Sequence, residues 1–340
     1  MDNQKYKFQY VSKIHLLNKE FDKKYLYLSP ERDFIQSINL FDKQILICDS
    51  KNIKIYNYPS FHLATKIISK SNFFSATLLK SKDLACCEYD GCISFYSMEN
   101  SQPILKQRLY VLKGKTVYRI KELINNMLVS CQDAKFISFY EYDKNKYNMK
   151  QKININNFVE NIFYTKDNDI LLYKNVFFPN YHYEISLFDF EEMKIKKNIL
   201  SCEGNGLIYE PFKFLNKDIV AIIIKSSIFL IDINQDYCII TNIKTEYWWF
   251  NCICAINNNY LITGDKLGNI ILWKFENKQL YKKCVYKHEK KEKVYYLNCD
   301  IKDILHLGNN LLFVGGIYNG NKYGNSGYIS DLFEIIEYKE

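Results

Sequence analysis

The chain has little of what divides or hinges a fold. Its 340 residues include 5 prolines and 12 glycines, too few for a linker rich in either. No apolar run approaches the roughly 18 residues that a membrane-spanning helix needs. The opening residues, Met1-Asp2-Asn3-Gln4-Lys5-Tyr6-Lys7, are too polar for a secretory signal peptide. Among the 11 cysteines no pair has C-x-x-C spacing. His288 follows Cys284 by four residues, but no second ligand pair stands nearby, so no metal is expected. The odd cysteine count and the absence of a signal peptide point to a reduced intracellular compartment, read as cytoplasmic. The 5 histidines (His15, His62, His182, His288 and His306) are scattered, and none belongs to a nucleophile motif. Gly315-Gly316-Ile317-Tyr318-Asn319-Gly320-Asn321-Lys322-Tyr323-Gly324 lacks the G-K-[ST] ending of a phosphate loop and leads into a strand, not a helix. No catalytic residue, cofactor or small-molecule substrate is expected, and the chain is read as a non-enzyme.

What is present is a repeated phrase. Its sharpest copy runs from Leu261 to Trp273: a short apolar strand, a turn around Asp265-Lys266-Leu267-Gly268, and a second apolar strand ending on an aromatic residue. Weaker copies start at Ile45, Leu84, Leu128, Ile170, Ile219 and Leu311, and with Leu261 in its place the seven starts are spaced by 39, 44, 42, 49, 42 and 50 residues. Three copies place the final aromatic twelve residues after the first apolar one: Leu84 to Tyr96, Leu128 to Tyr140 and Leu261 to Trp273. Cys48, Cys87 and Cys131 fill the column that holds Gly264, a choice of small apolar residues for close packing. Further strand candidates precede most starts (34–40, 117–123, 251–256, 304–307) and follow several (62–67, 237–241), giving four strands per unit. Aromatic residues make up 16% of the chain and, with abundant isoleucine, suit strands.

A repeat of roughly 40–45 residues with four strands is one propeller blade. On Leu261–Phe275, and more loosely over nearly the whole length, the chain resembles the WD-repeat β-propeller family. It departs from the family in lacking the Gly-His pair before each blade. The Asp-Gly turn appears only at Asp90-Gly91, and the terminal tryptophan only at Trp273. The resemblance implies an all-β fold: a single domain over residues 1–340, seven blades of four antiparallel strands, with the N-terminal strand completing the last blade. Tyr6, Phe8 and Tyr10 alternate with polar residues as such a strand should, so residues 1–15 are assigned that place; Tyr25–Leu28 is the alternative.

In the resembling fold the second-to-third turns and the connections between blades emerge on one face, and the departures from pattern fall there. They are Lys174–Glu184, holding Phe177, Phe178, Tyr181 and Tyr183; Gly316–Gly327; Tyr247-Trp248-Trp249-Phe250; and Lys287–Asp300, with the basic run containing Lys290 and Lys291. Large aromatics carry a disproportionate share of interface energy, and loops on a rigid scaffold often carry function. Tyr247, Trp248, Trp249, Phe177, Phe178, Tyr181, Tyr183, Lys290 and Lys291 are therefore the expected partner-binding residues. The expected partner is one or more proteins, held by a non-catalytic scaffold in a multiprotein complex. With a net charge of +8, the alternative is a basic propeller that binds RNA or an anionic surface within a larger particle.

Overall fold

The twelve-residue spacing is a cross-strand register. In the computed structural model Leu84 lies opposite Tyr96, Leu128 opposite Tyr140 and Leu261 opposite Trp273. The shortened first copy pairs Ile45 with Tyr56, and the inserted fourth pairs Ile170 with Phe188. In the fifth copy Ile231 faces Val220 instead of Ile219. Its turn holds two residues between Ile224 and Ser227, which moves the register by one. The structure describes residues 21–25 and 35–338, less short segments that include 166–168, 177–180, 204–210, 247–248, 293–294 and 323–324.

The chain is all-β, with antiparallel sheets in which each strand pairs with the next in sequence. Sheet one is Ile35–Phe41, Gln44–Asp49, Asn52–Asn57 and His62–Ile68. Sheet two is Phe73–Leu78, Asp83–Glu88, Cys92–Ser97 and Ile104–Tyr110. Sheet three is Val117–Glu122, Leu128–Gln132, Phe136–Asp143 and Lys146–Asn154. Sheet four is Phe158–Tyr164, Asp169–Val176, His182–Asp189 and Lys194–Glu203. Sheet five is Phe212–Phe214, Ile219–Ile224, Ser227–Asp232 and Cys238–Lys244. Sheet six is Phe250–Asn257, Tyr260–Asp265, Asn269–Glu276 and Gln279–Lys287. Sheet seven has five strands: Glu289–Glu292, Tyr295–Gly308, Leu311–Lys322, Asn325–Tyr338 and, from the other end of the chain, Phe21–Tyr25. That last strand pairs antiparallel with the final one, Phe21 opposite Tyr338 and Tyr25 opposite Glu334. Residues 1–15, expected in this place, lie outside the described residues.

Contacts gather the chain into two units, residues 39–207 and residues 1–38 with 208–340. In the first unit sheets one to four pack in chain order, as do sheets five to seven in the second. The second and third strands bury both faces; Ile219–Ile224 is buried at every residue. They therefore read as continuous apolar runs rather than alternating ones. Fourth strands are open: Ile104–Tyr110 has no buried residue. The core consists of seams between neighbouring sheets. Leu46, Ile53 and Ile55 meet Phe73, Ala76 and Leu84; Val129, Ile137 and Phe139 meet Val159, Ile162 and Phe188; Cys252, Ile262 and Ile270 meet Ile301, Ile304 and Leu312.

The small-residue column lies in these seams. Cys48, Cys87 and Cys131 are fully buried. A Cβ on Gly264 would come 2.5 Å from Ile301 Cγ2 and 2.9 Å from Cys252 Sγ, so this seam leaves no room even for alanine. Beside that column runs a polar one: Asp49, Glu88, Gln132, Lys174 and Asp265, all buried. Asp265 accepts hydrogen bonds from Leu267 N and Asn269 N, both at 2.8 Å, and from Asn269 Nδ2 at 2.6 Å. Asp49 accepts from Lys51 N at 2.9 Å and Asn52 N at 2.5 Å. These carboxylates shape the second-to-third turn by capturing its amides. Two sheets also tie the closing aromatic to their second strand: Trp273 Nε1 donates to Thr263 Oγ1 at 2.9 Å, and Tyr140 OH lies 2.8 Å from Ser130 Oγ. No such pair was expected from the sequence.

The Asp90-Gly91 turn is the tightest of these. Gly91 has φ +88° and its carbonyl accepts from Val111 N at 2.9 Å, while a Cβ there would fall 1.9 Å from Leu112 O. Gly91→Ala is expected to destabilise the protein by about 3 kcal/mol, combining left-handed strain with a backbone clash, as read from the urea midpoint at unchanged m-value.

Candidate functional site

Of the expected binding residues, the structure brings one into a built cluster. Trp249 precedes the first strand of sheet six and is held from both sides by turns. Its carbonyl accepts from Lys266 N at 3.2 Å, in the second-to-third turn of sheet six. The next amide, Phe250 N, donates to Lys225 O at 2.7 Å, in the corresponding turn of sheet five. Thr245 closes the connection by donating its N and its Oγ1 to Ser226 O, each at 2.9 Å. The segment is therefore fixed by backbone, whatever its side chains do.

The pinning sets the ring between two ammonium groups. Lys266 Nζ lies 4.3 Å from the Trp249 ring centroid and Lys225 Nζ 6.0 Å, both in the range of cation–π attraction. Trp249 is half-buried, as are both lysines. Beside them, Asn251 Nδ2 donates to Asp300 Oδ1 and, at 2.9 Å, to Ile301 O. Asp300 also pairs with Lys302 at 2.7 Å. Burial pushes the Lys266 ammonium below the usual lysine range and Lys302 adds to that, while Asp300 opposes it. The result is a half-sheltered aromatic face flanked by cations, suited to a partner that brings carboxylates and an apolar group together.

Tyr247 and Trp248 lie outside the described residues, as do Phe177 and Phe178. Tyr181 is exposed, at 52%. Tyr183 is a correction: it is fully buried and stacked on Tyr173 with ring centroids 5.0 Å apart. The insertion in sheet four continues the hairpin, with Val176 opposite His182. The two-residue period of the strand then turns Tyr183 to the same inner face as Ile185 and Leu187. Lys290 and Lys291 stand in a strand, opposite Leu297 and Tyr296. The segment from Lys287 to Asp300, expected as a loop, is thus mostly strand. Gly316–Gly327 likewise extends a hairpin, with Lys322 opposite Asn325. Added residues pair across the two arms, which satisfies their amides and carbonyls without a loop.

Sequence reasoning missed a second feature. The first strands of sheets two, three, four and six each carry a bulge near the end of the sheet that bears the second-to-third turn, and Tyr295–Gly308 in sheet seven carries one within the strand. Their register skips Phe74, Tyr118, Glu160, Asn251 and Lys302 respectively. A bulge re-aims one side chain out of the ladder. The residue types in this column vary, so no repeat marks it in sequence.

Among the described residues no cluster of His, Cys, Asp or Glu is placed to hold a metal ion, and no helix is long and apolar enough to cross a membrane. The sequence matches no protein-family model and no curated protein.

The lysine geometry makes a titration prediction. Lys266 is expected to lose its proton below the usual lysine range. Asp300→Asn, which removes the carboxylate that favours the charged form, should lower it further. Side-chain NMR of the lysine Cε and Nζ resonances checks both; an ordinary value unmoved by Asp300→Asn contradicts the arrangement.

Proposed function

We propose that the chain is a seven-bladed β-propeller of the WD-repeat type, a single domain closed by Phe21–Tyr25 on the final strand. It acts as a non-catalytic scaffold in an intracellular multiprotein complex and holds a protein partner at the rim around Trp249. The observation that carries the reading is Trp249 itself, pinned by two turns and flanked by Lys225 and Lys266. Rigid, half-exposed tryptophan ringed by polar groups is the chemistry of an interface anchor. The sheets support the scaffold part, because stacked four-stranded units present turns on fixed positions.

The test is a native pull-down with mass spectrometry on the full chain, at low and high salt. Proteins retained by the wild type at both salt levels should be lost from Trp249→Ala and weakened by Lys266→Glu. Truncation of an anchor costs about 2 kcal/mol, roughly thirtyfold in affinity. A folded Trp249→Ala variant that keeps every partner overturns the rim as the binding site. Retention of RNA alone, and only at low salt, favours the basic-surface reading instead.

A further inference from the structure

In the unit of residues 39–207, three consecutive sheets carry Phe74, Tyr118 and Glu160 in the bulge column. The two aromatics pack together, centroids 5.0 Å apart, and Tyr89 joins Phe74 at 5.4 Å. The third residue is a carboxylate. Its Oε1 accepts from Asn175 Nδ2 at 3.0 Å. Its Oε2 is shut off from solvent and has no hydrogen-bond partner among the described residues.

Among the described residues Glu160 also lacks a counter-charge. The groups that face it are Asn175 and Tyr173 on the second strand of its sheet, Tyr183 on the third, and Cys131 on sheet three. Arg119 neighbours Cys131 as well, but its NH1 donates to Tyr118 O at 3.0 Å and its guanidinium lies over the Phe74 ring. Several other acids in this unit are paired: Asp49 with Lys54 at 3.3 Å, Glu88 with Arg108 at 2.7 Å, Glu184 with Lys174 at 2.7 Å. Burial pushes the Glu160 carboxyl up to about 7, with Asn175 holding it back only in part. A buried acceptor left unpaired is costly, so its persistence asks for an explanation.

We propose that Glu160 is the receptor for a cationic side chain, a lysine or arginine of a protein partner, whose charge completes the pair that the fold leaves open. Glu160 keeps partial exposure, which leaves a path from solvent, and rotation about its last bond presents either oxygen. An ammonium or guanidinium supplies the missing donor as a charge-assisted hydrogen bond. Only the identification of the partner as a protein rests on the scaffold reading. The carboxylate is tested without it, so failure of the pull-down leaves this test standing.

The experiment uses the full chain labelled at glutamate Cδ, with the Glu160 resonance assigned by its loss in Glu160→Gln. The probes are N-acetyl-arginine methylamide and N-acetyl-lysine methylamide. N-acetyl-citrulline methylamide is the uncharged control and spermidine the free-amine control. The cationic amino-acid probes should move the Glu160 resonance and lower its titration midpoint toward the ordinary carboxylate range, and citrulline should not. Affinity should fall about tenfold per pH unit below about pH 7, as the carboxyl takes up its proton. The free protein gives an independent readout. A carboxyl raised on folding favours the folded state at low pH and loses that contribution as pH rises from about 4.5 to about 7. Glu160→Gln should therefore raise Tm near pH 8 and change it little near pH 5. A Glu160 that titrates in the ordinary carboxylate range, or that ignores both cationic amino-acid probes, overturns the proposal. A response to spermidine alone overturns the side-chain assignment.

Discussion

The pairing of the second and third strands in each repeat is the constraint on which the rest depends. Once Leu128 faces Tyr140 and Leu261 faces Trp273, every neighbouring column is fixed. In four repeats the residue three places on, Cys48, Cys87, Cys131 or Gly264, falls into the seam with the next sheet and is small. In five repeats the one after it is buried beside the turn and is polar. Asp49, Glu88, Gln132, Lys174 and Asp265 occupy that position, and each is held by partners suited to its own chemistry. A register slip of one residue would turn the seam residues to the opposite face of the sheet. This is why the fold tolerates so much change in sequence while keeping the spacing.

The same register explains what the insertions became. Extra residues in the fourth and seventh repeats lengthen the hairpin arms, because pairing satisfies backbone groups that an irregular loop would leave to water. Lys287–Asp300 follows the same rule. The surface proposed to bind partners is left to residues that the ladder does not use: the connection at Trp249, the turns at Lys225 and Lys266, and the bulged residues. Trp249 and Glu160 are opposite in kind. One is an aromatic face already flanked by cations, the other a carboxylate that lacks one among the described residues.

Much of the architecture was legible in the sequence. The starts at Ile45, Leu84, Leu128, Ile170, Ile219 and Leu261 all begin or lie within second strands, and Leu311 begins the strand after Tyr295–Gly308, since a strand buried on both faces shows itself as an unbroken apolar run. Most flanking strands were legible to within a few residues from shorter runs, although 304–307 marks only the end of Tyr295–Gly308. The site was legible only in part. Trp249 stood out because tryptophan is rare here, with 3 in the chain, but its two lysines come from turns about 24 and 17 residues away and share no motif with it. Tyr183 was misplaced because a hairpin extension and a loop look alike in composition, and only pairing reveals which residues face inward. The bulges left no signal, since a single skipped residue changes neither period nor composition.

Backbone amide hydrogen exchange on the native chain tests the account most directly. If the second and third strands are the fixed element, Asp83–Glu88, Leu128–Gln132, Ile219–Ile224 and Tyr260–Asp265 should exchange last, at rates set by global unfolding. The open fourth strands Ile104–Tyr110 and Lys146–Asn154 should exchange first. Equal protection across the four strands, or fourth strands that outlast the second, would contradict it.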